Sequence, residues 1–186
     1  MDNCLLFRYW IENYMSRFFG KGGTQLYLYH MVVHNNDGEN ISPQRVLNEG
    51  LDHKTATKWY SNSGDFFPEL TERFRPANLP KWIDLKVAFK AELEAYEKPY
   101  YRFHIFSDKI LVFNLDIASD LFAYVEDRYD GGKGRFVQGL PSKEDLIKQF
   151  WGSMRTVDEF LKNKPFNNPE LYIFEKVPAK IIEYIE

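Results

Sequence analysis

Two hydrophobic rhythms alternate along the chain. In residues 4–19, Leu5, Tyr9, Trp10, Met15, Phe18 and Phe19 recur among polar residues, and Gly20, Gly22 and Gly23 follow. That pattern predicts an N-terminal amphipathic helix within residues 1–19, ended by the glycines. Residues 25–33 (QLYLYHMVV) are apolar and aromatic on both faces, which predicts a central strand. Next, Ser42 suits an N-cap, Pro43 a first helical position and Gly50 a C′ position, so Ser42–Gly50 reads as a short capped helix. Residues 52–80 read as a long connection with short turns, because Pro68, Pro76 and Pro80 bar one long helix.

The second half carries more elements. Trp82, Leu85, Phe89 and Leu93 follow a near-helical spacing, so residues 81–97 are expected to be helical. The β-rich runs 100–106 and 109–115 are separated by Ser107 and Asp108 and read as a hairpin. Helices are expected over 117–128, after Ser142, and over 155–162 up to Pro165. A final strand is expected at Leu171–Phe174. Strands and helices do not alternate regularly. The expected class is α+β, one domain over residues 1–186 with a split, mostly antiparallel sheet flanked by helices.

Composition narrows this little. The chain has 186 residues, 44% hydrophobic and 27% charged, which is globular. Its net charge of −3 provides no global field for nucleic acid, although a local basic groove around Lys54, Lys58, Arg73, Arg75 and Lys81 is still allowed. The one cysteine, Cys4, excludes an internal disulfide and reads as a buried thiol. The apolar N-terminal run is broken by Arg8, Glu12 and Arg17, so no membrane span is expected and a cytoplasmic protein is.

Few residues suggest chemistry alone. His30, His34, His53 and His104 lack the close ligand pairs of a zinc site, and no metal is expected. No Gly-x-Ser-x-Gly elbow supports a serine triad. The Gly131-Gly132-Lys133-Gly134 loop lacks the Lys-Ser/Thr ending of a phosphate loop. Asp116, Asp120, Glu126, Asp127 and Asp130 read as a solvated helix face and turn. His30 ends a tyrosine-rich run, and Glu170 opens the last strand after Pro169. Taken singly, each reads as an ordinary structural residue.

Three segments in order give these residues a context. The Tyr29-His30 strand, the helix ending in Gly50-Leu51, and Pro169-Glu170-Leu171-Tyr172-Ile173-Phe174 with the following Val177-Pro178 together resemble the ADP-ribosyltransferase superfamily. Phe150-Trp151-Gly152-Ser153 resembles an element of some bacterial members. The resemblance implies NAD⁺ as substrate, with Glu170 and His30 catalytic and His30 also on a ribose. It further implies Tyr29 at the cofactor, Tyr60 or Trp151 stacked on nicotinamide, and Arg45, Arg73 or Arg75 on the pyrophosphate. The acceptor would be a nucleic acid or protein, in toxin or phage-defence biology, with an antitoxin or other protein partner. Asn168 stands where many protein-modifying members carry Gln or Glu, and there is no clear Ser-Thr-Ser motif, which argues against protein-arginine modification. Two rival readings stay open: a binding module without catalysis on the same fold, and a nucleic-acid-processing protein using the basic groove.

Overall fold

In a computed structural model, residues 26–32, 41–56 and 71–186 are described. The expected helix of residues 1–19, Cys4, His34, Lys58 and Tyr60 lie outside them. The described chain is α+β, with two antiparallel sheets flanked by four helices. Strand β1 is Tyr27–Met31, helix α1 Pro43–Glu49, β2 Phe89–Ala91, β3 Tyr100–His104 and β4 Ile110–Asn114. Helix α2 follows at Leu115–Tyr129, α3 at Lys143–Ser153, β5 at Arg155–Thr156 and α4 at Val157–Asn163. Strands β6 (Pro169–Ile173) and β7 (Glu183–Ile185) close the chain.

The sheets have the orders β1-β3-β7 and β2-β6-β4-β5. They meet at one antiparallel bridge, Tyr29 to Glu92, with both backbone hydrogen bonds made at 2.8 and 2.9 Å. That junction is the split that the sequence predicts. The split also explains why residues 100–115 form no hairpin. Strands β3 and β4 both exist, but β3 pairs with β1 and β7, while β4 pairs with β6 and β5. The intervening loop, with Ile105 buried, carries the chain from one sheet to the other.

The expected 81–97 helix is also absent. Its middle is β2, whose Phe89 and Ala91 are buried and whose partner is β6. Pairing with a distant strand overrides a local period that was only approximately helical. Strand β7 was not foreseen.

Locally encoded elements form as expected. Pro43 opens α1, and Gly50 ends it at φ 94°. A Cβ at Gly50 would stand 2.5 Å from the Val177 carbonyl oxygen, where Leu51 and Val177 pair, so glycine is required on two counts. Ser42 sits at the N-cap but its hydroxyl makes no capping bond. Ser142 does cap α3, accepting from the Asp145 amide. Thr156 and Glu159 form a reciprocal capping box on α4.

Alternation along the strands builds two cores. Leu28, Phe89, Ile110, Val112, Leu171 and Ile173 pack together with Tyr101 and Phe103 of β3. Leu111, Phe113 and Tyr172 face the other way, onto Leu121, Phe150 and Trp151 of α2 and α3. The β2–β6–β4 layer is therefore covered on both faces, and the charges on it are buried (Glu170) or partly buried (Lys90).

Candidate functional site

Strands β1, β2 and β6 lie side by side at the sheet junction, and β1, β6 and the residue just after β2 each supply a buried ionisable group. His30 is 0% exposed, Glu92 8% and Glu170 3%. Such groups are costly to bury, so their clustering in a core of large rings calls for an explanation.

The sheet register places them. Lys90 pairs with Tyr172 and Ala91 with Leu171, so one further step sets Glu92 opposite Glu170. Residues two apart share a strand face, so Lys90 and Glu92 stand together, as do Glu170 and Tyr172. Lys90 Nζ lies 2.7 Å from Glu170 Oε1, an ion pair with almost no solvent around the carboxylate. Phe113 of β4 pairs with Glu170 from the other side. Among the described residues, Glu170 Oε2 and the Tyr172 hydroxyl have no hydrogen-bond partner of good geometry. The hydroxyl is nevertheless close to the carboxylate. Burial first, and then the Glu170 charge, push the Tyr172 pKa well above its ordinary value, so Tyr172 keeps its proton.

Glu92 responds to the same environment. Burial, and next the charge of Glu170, raise its pKa to about 7, with Lys90 opposing. Lys90, Glu92 and Glu170 thus form a three-charge unit in which Glu92 takes up or releases a proton near neutrality.

His30 joins this unit through the backbone. Its Nδ1 lies 2.7 Å from the Lys90 carbonyl oxygen. A carbonyl only accepts, so Nδ1 carries the proton and Nε2 is the lone-pair nitrogen of the neutral ring. Burial lowers the His30 pKa to about 4, against the smaller effect of that bond. The ring packs edge-on against Phe89, centroids 5.6 Å apart, and stacks on Tyr101 at 6.3 Å. His30 and Glu170 are thus on strands that flank β2, but their side chains take opposite faces: Tyr29 is bridged to Glu92 and shares the Glu92–Glu170 face, while His30 points the other way, onto Phe89 and Tyr101, and meets the Lys90–Glu170 pair only through the Lys90 carbonyl.

The remaining candidates lie elsewhere. Tyr29 points to the opposite face of β1 from His30 and meets Tyr100 edge-on at 5.4 Å. Arg45 is exposed on α1 and pairs with Glu49 at 3.0 Å. Arg75 donates to the carbonyls of Pro80 at 2.8 Å and Ile83 at 3.2 Å, fastening its own loop. Trp151 is buried among Phe113 and Phe150, its indole N–H donating to the Thr71 carbonyl at 2.8 Å. It is packed as a core residue. Arg73 lines a separate cavity.

Lys90 and Glu92 did not emerge from the sequence. The signal was there: two charged residues at i and i+2, interleaved with the apolar Phe89 and Ala91, fit a strand that buries both faces. A helical reading of residues 81–97 concealed it. Asp127 was also misread. It is buried, 8% exposed, and not part of a solvated face.

Among the described residues there is no group of three or more His, Cys, Asp or Glu side chains arranged to hold a metal. No described helix is long and apolar enough to cross a membrane. No family model, curated protein or solved structure matches the chain.

Proposed function

We propose that this chain cleaves the nicotinamide–ribose bond of NAD⁺ and transfers ADP-ribose to an acceptor. The observation that carries this reading is the nearly dry Glu170 carboxylate, held by Lys90 at the junction of the two sheets, two strands from His30. In the reaction, the C1′–N bond breaks and nicotinamide leaves with the electron pair. The ribose is left with oxocarbenium character. A fixed negative charge in a low-dielectric site stabilises that developing cation strongly, because it needs no reorganisation as the charge forms.

The neighbours of Glu170 have roles in the same chemistry. Lys90 fixes the carboxylate position. His30 is neutral at pH 7 and, from the opposite face, holds the Lys90 backbone through its Nδ1, which helps to fix where the Lys90 ammonium meets Glu170. Glu92, with a pKa near 7, is suited to receive the proton that the acceptor loses as it attacks C1′. The acceptor is a nucleic acid or a protein. Asn168, shorter by one methylene than the Gln or Glu that many protein-modifying members of the resembled family carry there, favours nucleic acid; its amide donates a 2.8 Å bond to Asp116 at the start of α2.

The test is incubation of pure protein with NAD⁺ labelled in the ADP-ribose moiety, together with a lysate afterwards separated into nucleic acid and protein. Label entering either fraction, with nicotinamide released, is expected. Folded protein that neither transfers label nor releases nicotinamide contradicts the reading and leaves a binding module on this fold.

A further inference from the structure

A cavity of about 700 Å³ lies away from the sheet junction, between the C-terminal end of α2, the loop after it, the start of α3 and Arg73-Phe74. It shares no lining residue with the Lys90–Glu92–Glu170 unit. Its size is that of an ordinary small-molecule site.

The lining is chemically segregated. Arg73 and Lys143 are exposed and neither is held in an ion pair with another described residue, the Arg73 guanidinium lying 5.5 Å from the centroid of the Phe74 ring, and Arg128 stands on the same wall. Phe74 and Tyr124 supply flat apolar surface, with the Tyr124 hydroxyl bonded away to the Pro141 carbonyl at 2.7 Å. Gly131 and Gly132, at φ 86° and 69°, fold the chain back over the end of α2, where the Gly132 amide bonds the Asp127 carbonyl at 2.7 Å. They form a wall without side chains.

Asp127 belongs to this lining and is the least expected member. It is more than nine-tenths buried, and its Oδ1 has no hydrogen-bond partner among the described residues. A buried, unsatisfied carboxylate oxygen costs stability unless something donates to it. A ligand that satisfies the whole cavity therefore needs an anionic part for Arg73 and Lys143, a flat part for Phe74 and Tyr124, and an N–H edge for Asp127. Nucleotides have all three.

We propose that this cavity binds a nucleotide, with its phosphate at Arg73 and Lys143, its base against Phe74 and Tyr124, and an N–H of the base donated to Asp127. A guanine is the best match, because its Watson–Crick edge places two donors side by side, where adenine and cytosine alternate donor with acceptor. The inference does not depend on NAD⁺ cleavage.

Calorimetric titration of the full chain with GMP, AMP and a short single-stranded RNA containing one guanine in uracil tests it. GMP is expected to bind about tenfold more tightly than AMP. The Asp127→Asn variant should lose that preference while melting no lower than the parent, since it removes an unsatisfied charge. An Arg73→Ala/Lys143→Ala double variant changes only exposed residues. It should weaken GMP and AMP alike and flatten the salt dependence. A strand that binds far more tightly than GMP identifies a nucleic-acid segment as the natural occupant; equal affinities identify the free nucleotide. NAD⁺ at a concentration equal to that of GMP should leave most of the GMP bound. Failure of GMP and the strand to bind, displacement of most of the GMP by an equal concentration of NAD⁺, or an Asp127→Asn variant with unchanged preference would each overturn the proposal. None of these results bears on nicotinamide release.

Discussion

Replacing Glu92 by Gln should stabilise the protein, and only at the alkaline end. In the folded chain the carboxyl has its pKa raised from 4.5 to about 7. Between those values the native state holds a proton that the unfolded state has released, so stability falls as pH rises. The difference of about 2.5 pKa units, at about 1.4 kcal/mol per unit, corresponds to about 3 kcal/mol by pH 8 and almost nothing at pH 4. Gln keeps the shape and cannot ionise, so it escapes this loss. His30 titrates in the opposite sense. With its pKa lowered from 6.5 to about 4, it is neutral when folded where the unfolded ring is charged, so stability rises with pH across that window. In the parent protein the two slopes oppose each other between roughly pH 4.5 and 6.5, leaving a near-flat curve that descends towards pH 7–8. In the Gln variant the His30 rise stands alone. Thermal melts from pH 4 to pH 8 check this. For a chain of this size, about 3 kcal/mol corresponds to a variant melting roughly 6–12 °C higher at pH 8, with the curves converging at pH 4. Melting curves that stay parallel across the range, or a variant less stable at pH 8, would refute the placement of Glu92 beside Glu170.

Other perturbations follow from the same coordinates. Lys90→Met strands the Glu170 charge in the core and should cost about 3–5 kcal/mol in urea denaturation at pH 7; a loss under about 1 kcal/mol would mean that the 2.7 Å pair is not maintained in solution. Phe113→Ala removes a 0% exposed ring stacked on Phe150 at 4.6 Å and should cost about 3–5 kcal/mol in the same assay. Gly50→Ala meets a positive φ and a 2.5 Å approach to the Val177 oxygen, so the variant should melt lower than the parent, whereas Arg45→Ala in the exposed face of α1 should change stability by no more than about 0.5 kcal/mol.

The sequence carried those parts of the fold whose determinants are local. Ser42-Pro43 and Gly50 delimit α1 within nine residues, and Ser142 with Asp145 starts α3, because capping is decided within one turn. Strand partners are decided at long range. Ser107-Asp108 looks like a hairpin turn, yet the strands on either side belong to different sheets, since each has a more extensive apolar partner elsewhere in the chain. The same distinction separates what was legible at the site. His30 and Glu170 could be named only because the segments around them resemble, in order, those of a known superfamily; taken singly each looks structural. Lys90 and Glu92 acquire meaning only when β2 pairs with β6, a relation between residues eighty positions apart. Asp127 sits on a helix whose other acids are mostly outward, and only the fold shows that it faces inward.

The central claim is that the Glu170 carboxylate stabilises a developing positive charge on ribose. Its most direct test is the rate of nicotinamide release from NAD⁺ by the parent and by Glu170→Gln, compared at equal folded concentration. A side chain of the same size without the charge should lower the rate by about 10²–10³-fold while leaving NAD⁺ affinity nearly unchanged. Equal rates in the two proteins would contradict the account.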